Sequence, residues 1–218
     1  MTKRSGLVAA ALLGALAIVT LLLAPAAAAK ERSVSSLLRS LVVKAEQMSG
    51  YDRDLFPHWD YVGRGCDVRD LVLIEEARRG PSTGSACPVG RGRWFSAFDG
   101  VTVRDPSALD IDHLVPLAEA WGSGARTWTT ATREAFANDL GYSRTLIAVT
   151  ASSNRSKGDQ DPAEWLPPRT SYRCTYVSSW IAVKWRWRLT VDAREASALR
   201  VIVQSCGDPR IKAPSRAR

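Results

Sequence analysis

The sequence contains few of the residues that most often bind transition metals. Only two of its 218 residues are histidines, His58 and His113, and its four cysteines include no CxxC pair. Structural zinc sites are commonly built from two such pairs, so the spacing gives no support for one and we expect no structural zinc. No internal repeat is present either, and a repeat architecture is not expected.

Acidic residues are outnumbered by basic ones. The sequence has 30 Lys and Arg against 22 Asp and Glu, which gives a formal net charge of +8. A basic protein suits a polyanionic partner such as nucleic acid, but it suits an acidic cell surface equally well, so charge alone does not select the partner. An apolar content of 45% with eight tryptophans excludes a disordered chain and indicates one main globular domain.

Residues 1–29 have the pattern of a secretory signal peptide. Lys3 and Arg4 precede an apolar run over 7–23, and Ala27–Ala29 offers a small-residue cleavage site. We expect cleavage near Ala29, a secreted and monomeric product with a charge of +6, and no stable membrane association afterwards. An uncleaved membrane anchor is the alternative, because the run approaches the ~18 residues that span a bilayer. No cysteine lies near this junction, which argues against a lipoprotein.

The cysteines Cys66, Cys87, Cys174 and Cys206 allow three pairings into two disulfides. We favour Cys66–Cys87 and Cys174–Cys206, because each of these pairs closes a local loop. An exported protein also meets the oxidising conditions under which disulfides persist.

Hydrophobic periodicity predicts helices on both sides of a strand-rich middle. Before the middle we expect an amphipathic helical lead-in over 30–50, an irregular stretch over 51–59 and a helix capped by Asp67. His58 is assigned a packing role beside Trp59 in preference to a site role. A β-hairpin is predicted from 94–97 and 101–103.

The second half of the sequence predicts mainly helices. We expect short helices over 117–121 and 130–140, a strand over 145–150, and a turn with a short helix over 161–168. Two longer helices then form an antiparallel pair that brings Cys174 next to Cys206. The aromatic face of the first is predicted to be core, not a base-stacking platform; it consists of Tyr176, Trp180, Val183 and Trp187. Residues 207–218 are predicted to be a basic, disordered tail.

A set of polar residues suited to phosphodiester hydrolysis follows two predicted strands. Asp112 and His113 end the first strand, while Asn154, Arg155 and Lys157 follow the second. If the two strands pair, these groups converge. An imidazole can act as the general base, and carboxylate and amide oxygens suit Mg²⁺ or Mn²⁺. Arg155 and Lys157 could hold the phosphate. The alternative is that His113 merely caps a strand beside solvated aspartates.

Two segments carry a resemblance to a known nuclease family. The sequence over 112–116, DHLVP, together with SNRSKGD over 153–159, resembles the HNH, or ββα-metal, nuclease motif. Residues 55–206 resemble secreted HNH-family proteins related to the C-terminal domain of GmrSD-type restriction endonucleases. The resemblance implies an α+β fold in which a ββα-metal (HNH) nuclease core is embedded in additional helices. It places the nuclease domain at 51–206.

The resemblance also implies roles for individual residues. His113 would be the general base, Asp112 and Asn154 would bind one divalent metal ion, and Lys157 would lie near the phosphate. Glu119 and Asp161 lie in segments that resemble those of the family. For both residues two roles stay open: a structural one, or contact with the metal ligands that holds them in place. The last motif position is Asn154 where other HNH motifs have His, which bears on metal preference. Asp110 is left as a neighbour of the site.

Three functions follow as hypotheses. The first is a secreted, divalent-metal-dependent endonuclease that cleaves DNA, or RNA, with little sequence specificity. The second is a catalytically silent module that binds nucleic acid or envelope polymers. The third is a toxin delivered to competitors, for which the sequence offers no delivery module.

Overall fold

A computed structural model describes residues 31–81, 87 and 89–217 of the chain. The predicted signal peptide and most of the predicted loop over 81–86 lie outside the described residues. Within the described part, no helix is long and apolar enough to cross a membrane.

The described residues form an α+β fold with four antiparallel pairs of short strands. The helices are α1 (Val34–Arg39), α2 (Val68–Glu76), α3 (Leu117–Gly122), α4 (Thr130–Ala137), α5 (Ala151–Lys157), α6 (Arg173–Trp187) and α7 (Ala193–Ser205). The strands are β1 (Glu31–Ser33), β2 (Tyr61–Gly63), β3 (Cys66–Asp67), β4 (Trp94–Phe95), β5 (Thr102–Val103), β6 (Leu109–His113), β7 (Leu146–Thr150) and β8 (Arg210–Lys212). The pairs are β1–β8, β2–β3, β4–β5 and β6–β7.

The β6–β7 pair lies between two hydrophobic cores. Its register places Asp112 opposite Ile147 and His113 opposite Leu146. Ile147 and Val149 pack into a large core with α6 and α7, whereas Leu146 and Ala148 pack into a smaller core with α2, β4 and β5. A strand buried on both faces needs apolar residues throughout, which explains the unbroken apolar run of β7.

Helix α5 begins directly where β7 ends. The Thr150 side chain accepts a hydrogen bond from the Ser153 amide and so caps the helix. The Asp99 carboxylate accepts hydrogen bonds from both the Thr150 and the Ser153 hydroxyls, which ties the β4–β5 turn to this cap. The helix ends at Gly158, which has a positive φ of 54°. A polar seven-residue helix is thereby fixed against the sheet by its ends.

Both predicted disulfides are confirmed. Cys66–Cys87 spans 21 residues, and Cys174–Cys206 spans 32 residues and joins the start of α6 to the end of α7. Loops of this length correspond to about 3–4 kcal/mol of stabilisation each in the chain-entropy model. All four cysteines are oxidised, so no thiolate is left to bind a metal. The predicted aromatic face of α6 is confirmed as core, since its members are almost fully buried.

The prediction of a helical lead-in over 30–50 holds only for α1, since β1 precedes that helix and the chain beyond Arg39 is not helical. Helix α1 has only six residues, after which the chain continues as an irregular strap over 40–50. The β-branched Val43 pairs with Val191 in a parallel bridge, and the Gln47 amide donates to the Gly122 carbonyl. Tertiary hydrogen bonds to α3 and to the segment before α7 thus replace helical ones, and Met48 is 43% exposed.

The prediction of a disordered tail is wrong for the residues that the structure describes. Arg210–Lys212 forms β8, which pairs with β1 at the start of the described chain. Further along, the Arg216 guanidinium stacks on Trp185 at 3.9 Å from the ring centroid and donates to that residue's backbone carbonyl. Strand pairing and cation–π stacking order a segment whose composition alone suggested disorder. The predicted short helix over 161–168 is likewise only a turn.

Candidate functional site

The end of β6 and helix α5 together form a polar cleft of about 190 Å³. Asp112 and His113 from β6 line it together with Asn154 and Arg155 from α5. The antiparallel pairing of β6 with β7 brings these residues together across some forty positions of sequence. The cleft has one further basic wall residue, Arg53, which the sequence reasoning did not assign to the site.

Asp112 and Lys157 form a buried ion pair below the cleft. The Lys157 ammonium lies 2.6 Å from Asp112 Oδ1 and also donates to the His113 carbonyl at 3.0 Å. Lys157 is fully buried, so its ammonium contacts Asp112 and does not reach the open cleft. Burial raises the pKa of Asp112, and the Lys157 charge opposes that shift. Lys157 therefore fixes one oxygen of Asp112 and balances its charge.

The other oxygen of Asp112 has no hydrogen-bond partner among the described residues. Asp112 Oδ2 is buried, and a buried carboxylate oxygen without a partner is costly. Nearby, Asn154 Nδ2 donates to Asp110 Oδ2 at 3.0 Å. This hydrogen bond orients the amide group and uses its nitrogen, so that its carbonyl oxygen is left to bind a cation. Hard oxygen donors of this kind fit Mg²⁺ or Mn²⁺. Asp110 thereby gains a role in orienting Asn154.

His113 is held in one orientation by a backbone carbonyl. Its Nε2 lies 2.8 Å from the Ala137 carbonyl at the end of α4. A carbonyl only accepts, so Nε2 carries the proton and Nδ1 keeps its lone pair. Burial lowers the pKa of His113 to about 3, with the Ala137 carbonyl opposing and Arg53 adding to the shift. The ring is therefore neutral at physiological pH.

The aromatic stretch before β2 packs against this histidine. The Trp59 ring lies 5.5 Å from the His113 ring and the His58 ring 6.2 Å from it, measured between centroids. His58 Nδ1 contacts the Phe56 carbonyl at 2.7 Å, which agrees with its predicted packing role beside Trp59. Trp59 has a φ of +63°, an uncommon conformation for a bulky residue that the surrounding contacts must stabilise.

Glu119 and Asp161 lie apart from the cleft that Asp112 lines. Glu119 is buried and accepts hydrogen bonds from Lys184 and from Ser123 Oγ at 2.7 Å. Asp161 is buried at a turn, where it accepts from the Ala163 amide. Neither side chain is hydrogen-bonded to Asp112 or Asn154 among the described residues. The contacts favour structural roles for both.

The strap residue Glu46 lies beside Glu119 and should make stability depend on pH. Burial, followed by that contact and the Glu119 charge, raises the pKa of Glu46 to about 8; Lys184 lowers it and Asp192 raises it. Through Glu46 the folded state binds more protons than the unfolded state between pH 4.5 and about 8, so this group lowers the free energy of unfolding as pH rises through this window. Below pH 6.5 the lowered pKa of His113 acts in the opposite direction. Urea denaturation at pH 6.5 to 8.5, above the range in which His113 contributes, therefore measures the slope.

The variant Glu46→Gln should show a shallower slope over the same window. Some slope should remain, because burial also raises the pKa of Glu76 to about 7. A variant whose pH dependence matches the wild type would contradict the assignment to Glu46.

Comparison with known proteins places the chain in a family. The model of the family described as GmrSD restriction endonucleases, C-terminal domain, matches residues 84–202, more than half of the chain. A curated relative from Arthroderma benhamiae, named an uncharacterized secreted protein, is 45% identical over 175 residues, which are 80% of this chain and 85% of the relative. No solved structure matches the chain. The protein belongs to the family of GmrSD restriction endonuclease C-terminal domains, as the sequence resemblance predicted.

Proposed function

We propose that the protein is a secreted, divalent-metal-dependent nuclease that hydrolyses phosphodiester bonds of DNA or RNA, with β6, β7 and α5 as an HNH, or ββα-metal, core. The observation that carries this proposal is the buried, unpartnered Oδ2 of Asp112 at a cleft that His113 and Asn154 also line. Burying a carboxylate oxygen without a partner costs free energy, and a bound cation would remove that cost. Membership in a restriction-endonuclease domain family supports the same class of activity.

Each polar residue predicted from the two motif segments has a role in the proposed reaction. His113 Nδ1 accepts the proton of the attacking water, while the hydrogen bond from Nε2 to Ala137 holds the ring in place. Asp112 and Asn154 would hold the cation through their side-chain oxygens. When bound, that cation offsets the negative charge that builds on the phosphate oxygens. Lys157 positions Asp112 instead of binding phosphate, and Arg155 is exposed and available for the phosphate.

Secretion is supported by three observations. The sequence begins with a pattern typical of a signal peptide, and two disulfides fit an oxidising compartment. The relative from Arthroderma benhamiae is named a secreted protein. The substrate would then be extracellular nucleic acid, which the basic composition of the chain would attract.

A plasmid-nicking assay on the mature protein tests the proposal directly. We expect cleavage with Mg²⁺ or Mn²⁺, none after chelation, and a strong loss in Asp112→Asn, which keeps the size of the side chain. Parallel assays on linear DNA and on RNA identify the substrate. Nucleic-acid binding that survives chelation without any cleavage would instead support the silent binding module.

A further inference from the structure

We propose that Arg53 binds the scissile phosphate and stabilises its charge in the transition state. This inference rests on the proposed nuclease function and deepens it. Arg53 lies on a segment far from the two motif segments in sequence, yet its side chain lines the same cleft as Asp112, His113 and Asn154.

The turn that carries Arg53 is rigidly attached to the domain. It is a short 3-10 helix over Arg53–Leu55, capped by the Asp52 side chain. Directly behind it, Phe56 is fully buried, and the Leu55 carbonyl accepts from Arg133 Nε at 2.8 Å. The Pro57 carbonyl accepts from Asn138 Nδ2 at 3.0 Å. A fixed backbone with an exposed arginine suits a residue that must place a charge at a defined position.

The charge of Arg53 is not neutralised by an ion pair within the described residues. The carboxylate of Asp159 also lines the cleft, but it forms no salt bridge with Arg53. Arg53 lines the same cleft as His113, so its guanidinium is on the side of the cleft where the proposed reaction takes place. The Arg53 guanidinium therefore has no carboxylate partner at the cleft, and it is available to bind an anion there.

The placement of the other basic groups favours this role for Arg53. Lys157 is buried in its contacts with Asp112 and the His113 carbonyl, so Arg155 is the only other basic side chain that lines the cleft among the described residues. Arg53 and Arg155 come from different segments and can contact the phosphate from different sides. A guanidinium offers two parallel N–H groups that match two phosphate oxygens, which a lysine cannot do.

Kinetics of Arg53→Gln on an oligonucleotide duplex test the assignment. We expect a fall in kcat of about 100-fold, as is typical when one donor to a transition-state charge is removed. Arg53→Lys keeps the charge but not the paired donors and should lie between the wild type and the Gln variant. Arg200→Gln is the matched control, because Arg200 is an exposed arginine on α7, outside the cleft. It should change kcat less than about twofold.

Chemical rescue separates phosphate binding from a structural role. Added guanidinium ions at millimolar concentration should restore part of the activity of Arg53→Ala but not that of Asp112→Asn, since only the first variant has space for the ion at the phosphate. Circular dichroism melting checks that the variants are folded. The assignment is overturned if Arg53→Gln behaves like Arg200→Gln, or if folded Arg53→Ala is inactive without rescue. A wild-type protein that does not cleave would overturn the nuclease proposal itself.

Discussion

Replacing His113 by alanine is expected to lower metal-dependent cleavage about 1000-fold, within the range that a general base contributes. The ring is the only neutral base at the cleft with a fixed orientation among the described residues, because its Nε2 is bonded to the Ala137 carbonyl and its Nδ1 is left to accept a proton. Nicking of plasmid under single-turnover conditions measures the chemical step without product release.

His58→Ala is the matched control for this variant. His58 contacts the Phe56 carbonyl and does not line the cleft, although its ring lies 6.2 Å from that of His113. We expect at most a several-fold loss, through altered packing of Trp59. If both variants lost activity equally, or if His113→Ala kept it, the base would have to be assigned elsewhere.

The chemistry-bearing residues of the candidate site could be predicted because they are local in sequence. Asp112 and His113 end one strand, Asn154 and Arg155 lie on the helix that follows another, and the two strands pair as expected. Neighbours in sequence stay neighbours in a strand or in one helical turn. This is why the grouping of Asp112, His113, Asn154 and Arg155 at one cleft agrees with the sequence prediction.

Contacts made at long range could not be predicted in this way. Lys157 follows Asn154 by three residues, but only the packing of α5 on β6 shows that its ammonium points down to Asp112 instead of out to the cleft. Arg53 lies about sixty residues before the site, and nothing in its local sequence indicates the cleft. Asp110 is a partial exception: the sequence predicts it as a neighbour of the site, but it does not predict the hydrogen bond from Asn154.

The errors in the fold have the same origin. The apolar spacing over 30–50 is compatible with a helix, but the strap forms hydrogen bonds to Gly122 and Val191 that no local pattern encodes. The tail is short and basic, and it becomes a strand only because β1 offers a free edge. Where both partners of an interaction are close in sequence, the prediction holds: Asp67 caps α2 as expected, through a hydrogen bond from the Asp70 amide three residues on.

The second large effect concerns stability: Lys184→Met is expected to lower the free energy of unfolding by about 3–5 kcal/mol, the cost of breaking a buried ion pair by removing one partner. Lys184 is fully buried, and its ammonium contacts Glu119 and, at 2.6 Å, Glu195. Methionine keeps the volume but leaves both carboxylates without their cation. Because Glu119 belongs to α3, which follows the Asp112-His113 segment directly, the loss should also loosen the support of the cleft.

Chemical denaturation of Lys184→Met measures this effect. Lys44→Met is the matched control, because Lys44 is exposed and its replacement should change the free energy of unfolding by less than about 0.5 kcal/mol. Adding Glu195→Gln to Lys184→Met should recover part of the loss, because it removes one of the two uncompensated charges while keeping a hydrogen-bond acceptor for Trp180 Nε1. If the double variant were less stable than Lys184→Met, packing around Trp180 would matter more at this position than charge balance. The attachment of α3, α6 and α7 to one another would then not depend on the ion pairs of Lys184.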